Sequence, residues 1–369
     1  MENFETISEL ISIKSYNTNC NAQIVNYLIS KFKPYSKQIL KVRSPGSNLT
    51  NLIIGLNTNV ENTRAIILSG HIDTVKANEN DYRTNPFKAT IIGENIYGLG
   101  IIDMKCFFAS IIDNLPKLTK SKIPIIITVT SDEETNLNGI KAIITTLKNR
   151  NVSSYITIIG EPTKNTISTT SKGCYSYTIS INGKSCHSST PSNGINTIYI
   201  MAKIANILEK LNMKYTDTTL SANIANSGDT ANIVPSLASL TFDIRTKSRE
   251  NAENILTVIK NVLLYLERKY YGSKITLKRD LYIPPLEKNN NKFISKLINE
   301  LNVAETEFTG GCEAGYYSQI SDNTIIYGAG DLTHAHKPNE CLNINTYEKY
   351  NINLIKLIEN LNQKFEGEN

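Results

Sequence analysis

The chain has 369 residues, 40% of them hydrophobic and 20% charged, with a net charge of +5. That length predicts two domains rather than one, and the apolar content suffices for packed cores, which excludes wholesale disorder. Like charges form no block that would make a nucleic-acid or membrane arm, and no apolar run approaches the length of a membrane span. Met1–Glu5 is acidic and no apolar signal core follows it. The six cysteines (Cys20, Cys106, Cys174, Cys186, Cys312 and Cys341) show no CxxC pair and no framework spacing. Reduced thiols and a cytoplasmic location are therefore expected.

In chain order, Phe4, Ile7, Leu10 and Ile11, then Ile24, Leu28 and Phe32, recur at helical spacing over 4–33, with a break near Ser15–Asn21. Leu49–Leu56 and Arg64–Ser69 predict strands, and Met104–Leu118 predicts a helix that Pro116 helps to end. Ile123–Thr130 predicts a strand buried on both faces, Gly139–Lys148 a helix, and Tyr155–Ile159 a strand running into Gly160-Glu161-Pro162. This alternation is the signature of an α/β layer structure.

The pattern changes after Lys172. Cys174–Ile181 alternates as a half-buried strand does, and Gly194–Leu211 is an amphipathic helix. Thr218–Asn226 and Ser236–Arg245 predict strands, Arg249–Glu267 a helix and Lys274–Leu281 a strand. Strand, helix, strand, strand, helix, strand is the ferredoxin-like order. Pro284-Pro285 marks the exit, followed by a helix at Asn290–Leu301, a strand at Thr324–Tyr327 and a final helix at Thr346–Leu361. The fold expected is thus an α/β sheet domain, residues 1–172 and 285–369, with an α+β unit inserted at 173–284.

Three patches stand at strand ends or helix starts: Ser69-Gly70-His71-Ile72-Asp73, Gly100-Ile101-Ile102-Asp103-Met104-Lys105, and Ser131-Asp132-Glu133-Glu134. In helix-covered sheets the chemistry collects beyond the carboxyl ends of the strands. With Glu161 and His336, these patches offer imidazole and carboxylate donors for a two-metal hydrolytic site and a spare carboxylate as base. Taken singly, a histidine after a strand reads as a structural hydrogen-bonded residue and a Glu-Glu pair as solvated surface. Their joint occurrence in this order points to chemistry.

That order and wording resemble the M20-type metallopeptidase and deacylase family, which includes acetylornithine deacetylase, succinyl-diaminopimelate desuccinylase, aminoacylases and glutamate carboxypeptidase. The matching stretches are the three above together with Gly160-Glu161-Pro162-Thr163, Ser185-Cys186-His187-Ser188-Ser189, Phe242-Asp243-Ile244-Arg245 and Ala335-His336-Lys337-Pro338-Asn339-Glu340. The resemblance implies a catalytic α/β sheet domain of phosphorylase/hydrolase-like type with an inserted ferredoxin-like lid that forms a homodimer. It implies two divalent ions, Zn2+ or Co2+: His71 and Glu161 on one, Glu134 and His336 on the other, and Asp103 bridging. Asp73 would receive the other ring N–H of His71, and Glu133 would be the general base. The peptide bond after Asp103 would be cis.

The same resemblance implies four groups around the substrate. His187 would reach across the dimer to the oxyanion; the plainer alternative is a turn histidine capped by neighbouring serines. Arg245 would grip a substrate carboxylate, where the alternative is a sheet-surface ion pair. Asn232 would contact the substrate amide. The loop Gly310-Gly311-Cys312-Glu313-Ala314-Gly315 would place Gly315 against the substrate and Glu313 against a cationic amine. His334 reads as a rim residue, because only His336 carries the Lys-Pro-Asn-Glu sequel.

Within the family, Asn182–Pro191 and Glu161-Pro162-Thr163 with Lys172-Gly173 look most like acetylornithine deacetylase. The desuccinylase loop runs Thr-Ser-Asp-Ala-Arg, whereas Gly-Cys-Glu-Ala-Gly here lacks the arginine suited to a succinyl carboxylate. The implied reaction is N2-acetyl-L-ornithine and water to L-ornithine and acetate, in arginine biosynthesis. A desuccinylase, or a relative freeing lysine or ornithine from another acyl group, are the alternatives. A non-catalytic dimeric binding relative is a third, but it should lack Glu133 or some of the ligands. The partner expected is a small N-acyl amino acid, with no nucleic acid and no membrane.

Overall fold

The computed structural model describes residues 4–16, 20–288 and 291–365. The chain divides into two compact units, one of residues 1–170, 288–308 and 312–369, the other of residues 171–287 with 309–311.

The first unit begins with α1 (Glu5–Ser12) and α2 (Ala22–Phe32), which bury Ile7, Leu10, Ile11, Ile24, Leu28 and Phe32. Of the break expected between them, residues 17–19 lie outside the described residues. Then come β1 (Gln38–Arg43), β2 (Thr50–Gly55), β3 (Thr63–His71) and the short β4 (Thr90–Ile92) and β5 (Asn95–Tyr97). The helix expected over Met104–Leu118 is instead three pieces. A wide turn at Ile101–Lys105, with Asp103 and Met104 outside helical backbone angles, precedes α3 (Cys106–Asp113) and α4 (Leu115–Leu118). Pro116 opens α4 rather than ending a helix, since the first turn is where a missing N–H costs nothing.

The sheet continues with β6 (Ile125–Thr130), α5 (Asn138–Asn149), β7 (Val152–Ile159) and β8 (Ile167–Ser171). All six residues of β6 are buried, with Ile125, Ile126, Ile127 and Val129 at 0% exposure. Each such side chain contributes about 1.5–3 kcal/mol by leaving water.

The second unit contains β9 (Gly173–Asn182), β10 (Cys186–His187), α6 (Thr197–Asn212), β11 (Thr218–Ser227), β12 (Ile233–Val234), β13 (Leu237–Thr246), α7 (Arg249–Lys269) and β14 (Lys274–Ile283). Its four long strands form an antiparallel sheet in the order β11-β13-β9-β14, the ferredoxin-like topology. Alternate residues of β9 and β13 (Ile179, Ile181, Leu240, Phe242, Ile244) face the apolar stripes of α6 and α7. β10 and β12 pair separately as a two-stranded ribbon.

The chain closes the first unit with α8 (Lys292–Leu301), β15 (Glu305–Phe308), α9 (Ala314–Tyr317), β16 (Thr324–Ile326), β17 (Cys341–Asn343) and α10 (Ile344–Phe365). The helix expected from Asn290 starts at Lys292; residue 290 itself is outside the described residues. The main sheet has eight strands in the order β1-β2-β6-β3-β7-β16-β8-β15, and its centre, β6-β3-β7-β16, is parallel. No helix among the described residues is long and apolar enough to cross a membrane.

Candidate metal centre

The parallel centre of the sheet aims its carboxyl ends at one place. His71 is the last residue of β3, Glu133 and Glu134 follow β6, and Glu161 follows β7 by two residues. Asp103 arrives from the wide turn before α3, and His336 from the loop between β16 and β17. The peptide bond between Asp103 and Met104 is cis, as the resemblance implies.

Two groups of donor atoms converge. His71, Asp103 and Glu161 form one, and Asp103, Glu134 and His336 the other, with the donors of each group within 4.8 Å of one another. Asp103 belongs to both. Its Oδ1 lies 2.8 Å from Nε2 of His71 and its Oδ2 lies 3.1 Å from Nε2 of His336. Oε1 of Glu161 is 4.0 Å from Nε2 of His71, and Oε1 of Glu134 is 2.8 Å from Nε2 of His336. Glu133 and His334 stand outside both groups.

Burial and close contact set the charge preferences of these groups. Burial opposes charge on His71, but the hydrogen bonds to Asp103 and Asp73 raise it well above the ordinary imidazole value. Hydrogen bonds to Asp103 and Glu134 raise His336 to about 10. Burial works against ionisation of Asp103, yet His336 and His71 hold it below the usual carboxylate range. Burial, then the charge of Asp103, push Glu161 well up. The two imidazoles are thus the only groups among these donors that can carry positive charge, and each faces carboxylates. A set of imidazole and carboxylate donors with one shared carboxylate fits a pair of divalent ions.

Local sequence explains how the ligands reach their places. Gly160 precedes Glu161, and a Cβ there would lie 2.2 Å from the Phe107 ring. Gly70 precedes His71, and its Cβ would meet the Met104 methyl at 2.5 Å. Both strand ends therefore need glycine, because the buried Met104 and Phe107 lie across them.

Asp73 faces the Nδ1 of His71 with both its backbone and its side-chain oxygens. Nδ1 of His71 meets the backbone oxygen of Asp73 at 3.0 Å, while the carboxylate stands at 3.6 Å. That carboxylate also accepts the amides of Glu133 at 3.2 Å and Glu134 at 3.0 Å. The carbonyl is the nearer acceptor to His71, and the side chain anchors the Glu133-Glu134 turn. Asp132 supports the same turn by accepting the Asn138 and Gly139 amides at the start of α5.

Glu313 is placed differently from expectation. It is 1% exposed, accepts from Ser69 at 3.2 Å and from Thr130, and neighbours the Tyr317 hydroxyl that Ser69 and Thr128 hold at 2.8 and 2.7 Å. Burial pushes its carboxyl up to about 7. It lies in a cradle of hydroxyls behind the strand ends, not open to a substrate amine. Gly315 is buried within α9. The hydroxyls of Ser69, Thr128 and Thr130 escape a sequence reading because they sit inside apolar strands, where Ser and Thr look like neutral filler.

The remaining expected substrate residues lie in the second unit. His187 is exposed on β10 with Nδ1 2.7 Å from the Ser189 hydroxyl, the local contact of a capped turn histidine. Asn232 adjoins it, its carbonyl accepting the Ser188 amide at 3.0 Å. Arg245 stands apart on β13, half-exposed, with Nε donating to Asp243 at 2.6 Å. The structure brings His187 and Asn232 together on one ribbon and leaves Arg245 on the four-stranded sheet.

The profile of peptidase family M20/M25/M40 matches residues 67–360. The chain belongs to this family. It is similar to the acetylornithine deacetylase of Buchnera aphidicola subsp. Schizaphis graminum, 30% identical over 97% of this chain and 96% of that one. The acetylornithine deacetylase of Shigella sonnei is 29% identical over 87% and 86%. Among solved structures, a tripeptidase from Staphylococcus aureus superposes with a TM-score of 0.82 at 21% identity, covering 98% of both chains. A dinuclear metal-binding M20 peptidase from Bacillus subtilis gives 0.73 at 16% identity, again over 98% of both. This chain is accordingly an enzyme, a metal-dependent amide hydrolase of the family.

Proposed function

We propose that the chain hydrolyses N2-acetyl-L-ornithine to L-ornithine and acetate, as a step of arginine biosynthesis, using two divalent ions, Zn2+ or Co2+. The observation that supports the two-ion reading is the pair of donor groups sharing Asp103 while Glu133 remains outside both. His71 and Glu161 would hold one ion, Glu134 and His336 the other, and Asp103 would bridge. Bound there, the ions would acidify the attacking water and polarise the amide carbonyl.

The chain's own residues supply the rest. Glu133 takes a proton from the attacking water and returns it to the leaving amine nitrogen as the carbon–nitrogen bond breaks. Burial pushes this carboxyl well above its ordinary value, His71 opposes that, and Glu161, Glu134 and Asp103 add to it. Such a raised value makes the carboxylate a stronger base toward the attacking water. Asp73 fixes the turn that separates the base from the ligand beside it. Arg245 would grip the substrate carboxylate, Asn232 its amide, and His187 would stabilise the oxyanion from the partner of a homodimer built through the inserted unit.

The substrate assignment rests on the curated relatives and on the missing arginine in the Gly311-Cys312-Glu313-Ala314-Gly315 loop. A turnover panel of acetyl-ornithine, succinyl-diaminopimelate, acetyl-lysine and a tripeptide, with zinc or cobalt supplied, tests it. The expected result is the highest kcat/KM on acetyl-ornithine. Preference for the succinyl compound or the tripeptide would overturn the assignment.

A further inference from the structure

Glu340 has no role in the chemistry above, yet it is a buried acid, 2% exposed, four residues beyond His336. Both carboxylate oxygens are used. Oε2 accepts the Gly100 amide at 2.9 Å and Oε1 accepts the Ile102 amide at 2.8 Å. Its backbone oxygen accepts the Gly98 amide at 3.2 Å. One residue further on, Cys341 begins β17 and pairs with Tyr97 of β5, the strand that leads into this same turn. The turn is otherwise irregular: Gly100 has φ +73°, and Asp103 and Met104 leave the helical region. Lys105, at its end, is buried too and donates to the Ile13 carbonyl at 2.9 Å.

We propose that Glu340 is the positioning residue of the metal centre, a carboxylate clamp on the 98–102 backbone that fixes Asp103 between the two ion sites in register with His336. The inference rests on the reading of Asp103 as a bridge. The chemistry favours a carboxylate specifically. Two converging N–H groups need an acceptor at each oxygen, and a carboxamide would turn an NH2 donor toward one of them. Burial raises this carboxyl to about 8, and the Gly100 and Ile102 amides, each donating to one oxygen, oppose that shift and favour the form that accepts at both oxygens. Because Asp103 contributes to both donor groups, a small rotation of its turn disturbs both ions together. Neither His71 nor Glu134 has that leverage, since each belongs to one group.

The test uses the full chain stripped of metal and titrated with Co2+, comparing the parent with Glu340→Gln and Glu340→Asp. Glu340→Gln should bind Co2+ about 10- to 100-fold more weakly, with a changed visible absorption band, and should lower kcat while leaving KM unchanged. Glu340→Asp keeps two acceptor oxygens on a shorter arm and should recover part of the loss. Parental Co2+ affinity, spectrum and kcat in a folded Glu340→Gln protein would overturn the proposal, as would a change in KM alone. If Glu340→Gln does not fold, hydrogen exchange on the metal-free parent decides. Slow exchange of the Gly100 and Ile102 amides supports the clamp, and exchange as fast as in an exposed loop overturns it. A parent that binds no Co2+ would instead refute the metal reading, and this inference with it. A parent that binds two ions alongside an indifferent variant refutes only the role of Glu340.

Discussion

The strand-end cluster of the first unit and the candidate substrate residues of the inserted unit are built in opposite ways. His71, Asp103 and Glu161 are nearly sealed from solvent and hold one another through a continuous network. His187, Asn232 and Arg245 are exposed or half-exposed, and their partners are local: Ser189, the Ser188 amide and Asp243. A buried charge is costly unless paired, so the first group can exist only as a set completed by protons or metal. An exposed side chain carries no such constraint and can be changed singly. The candidate metal centre is therefore a collective arrangement, and the proposed substrate contacts are separable ones.

The comparison can be broken at its strongest point first. Asp103→Ala should cost both ions and all measurable turnover, read as metal content per chain after dialysis; retention of one ion would show that Asp103 does not bridge. Glu133→Gln should keep two ions and lose about 10²–10⁴-fold in kcat, the range for a removed general base. Intact turnover in that variant would remove Glu133 from the chemistry.

Arg245→Ala should leave metal content untouched and raise KM for an N-acyl amino acid by about tenfold or more, the worth of one hydrogen bond to a charged group. An unchanged KM would reduce Arg245 to the ion pair with Asp243. A loss of metal would mean that the two regions are not separable.

The smallest effect is on stability. Folding raises His336 to about 10, against about 6.5 for a free imidazole. A group raised on folding stabilises fully below its unfolded value and ceases to do so as pH passes its folded value. The metal-free protein should therefore melt at lower temperature as pH rises from about 6.5 to about 10. The metal-loaded protein, whose imidazoles carry no such proton, should not follow. Parallel curves would mean that the imidazoles are not the counter-charges of the carboxylates in the metal-free protein.

Much of this was legible in order along the chain. The isoleucine runs at 125–127 and 66–67 announce strands buried on both faces, and a parallel centre with ligands beyond its carboxyl ends follows from that burial. β1 was not legible, because none of its residues is buried and Lys41 and Arg43 dilute its apolar pattern. The piecewise path from Ile101 to Leu118 was not legible either, since helical periodicity continues across a turn whose backbone departs from the helix at only two residues.

By itself the sequence pointed to the reaction class, because His71, Asp103, Glu133, Glu134, Glu161 and His336 stand in stretches whose wording and order resemble those of the M20 family. Only the tertiary structure decided which oxygen serves which partner: the Asp73 carboxylate on the Glu133 and Glu134 amides, the concealment of Glu313 among hydroxyls, and the hold of Glu340 on the turn of Asp103. Those outcomes depend on distances of a few tenths of an ångström between segments far apart in sequence, and hydrogen bonding discriminates at that scale while residue order does not.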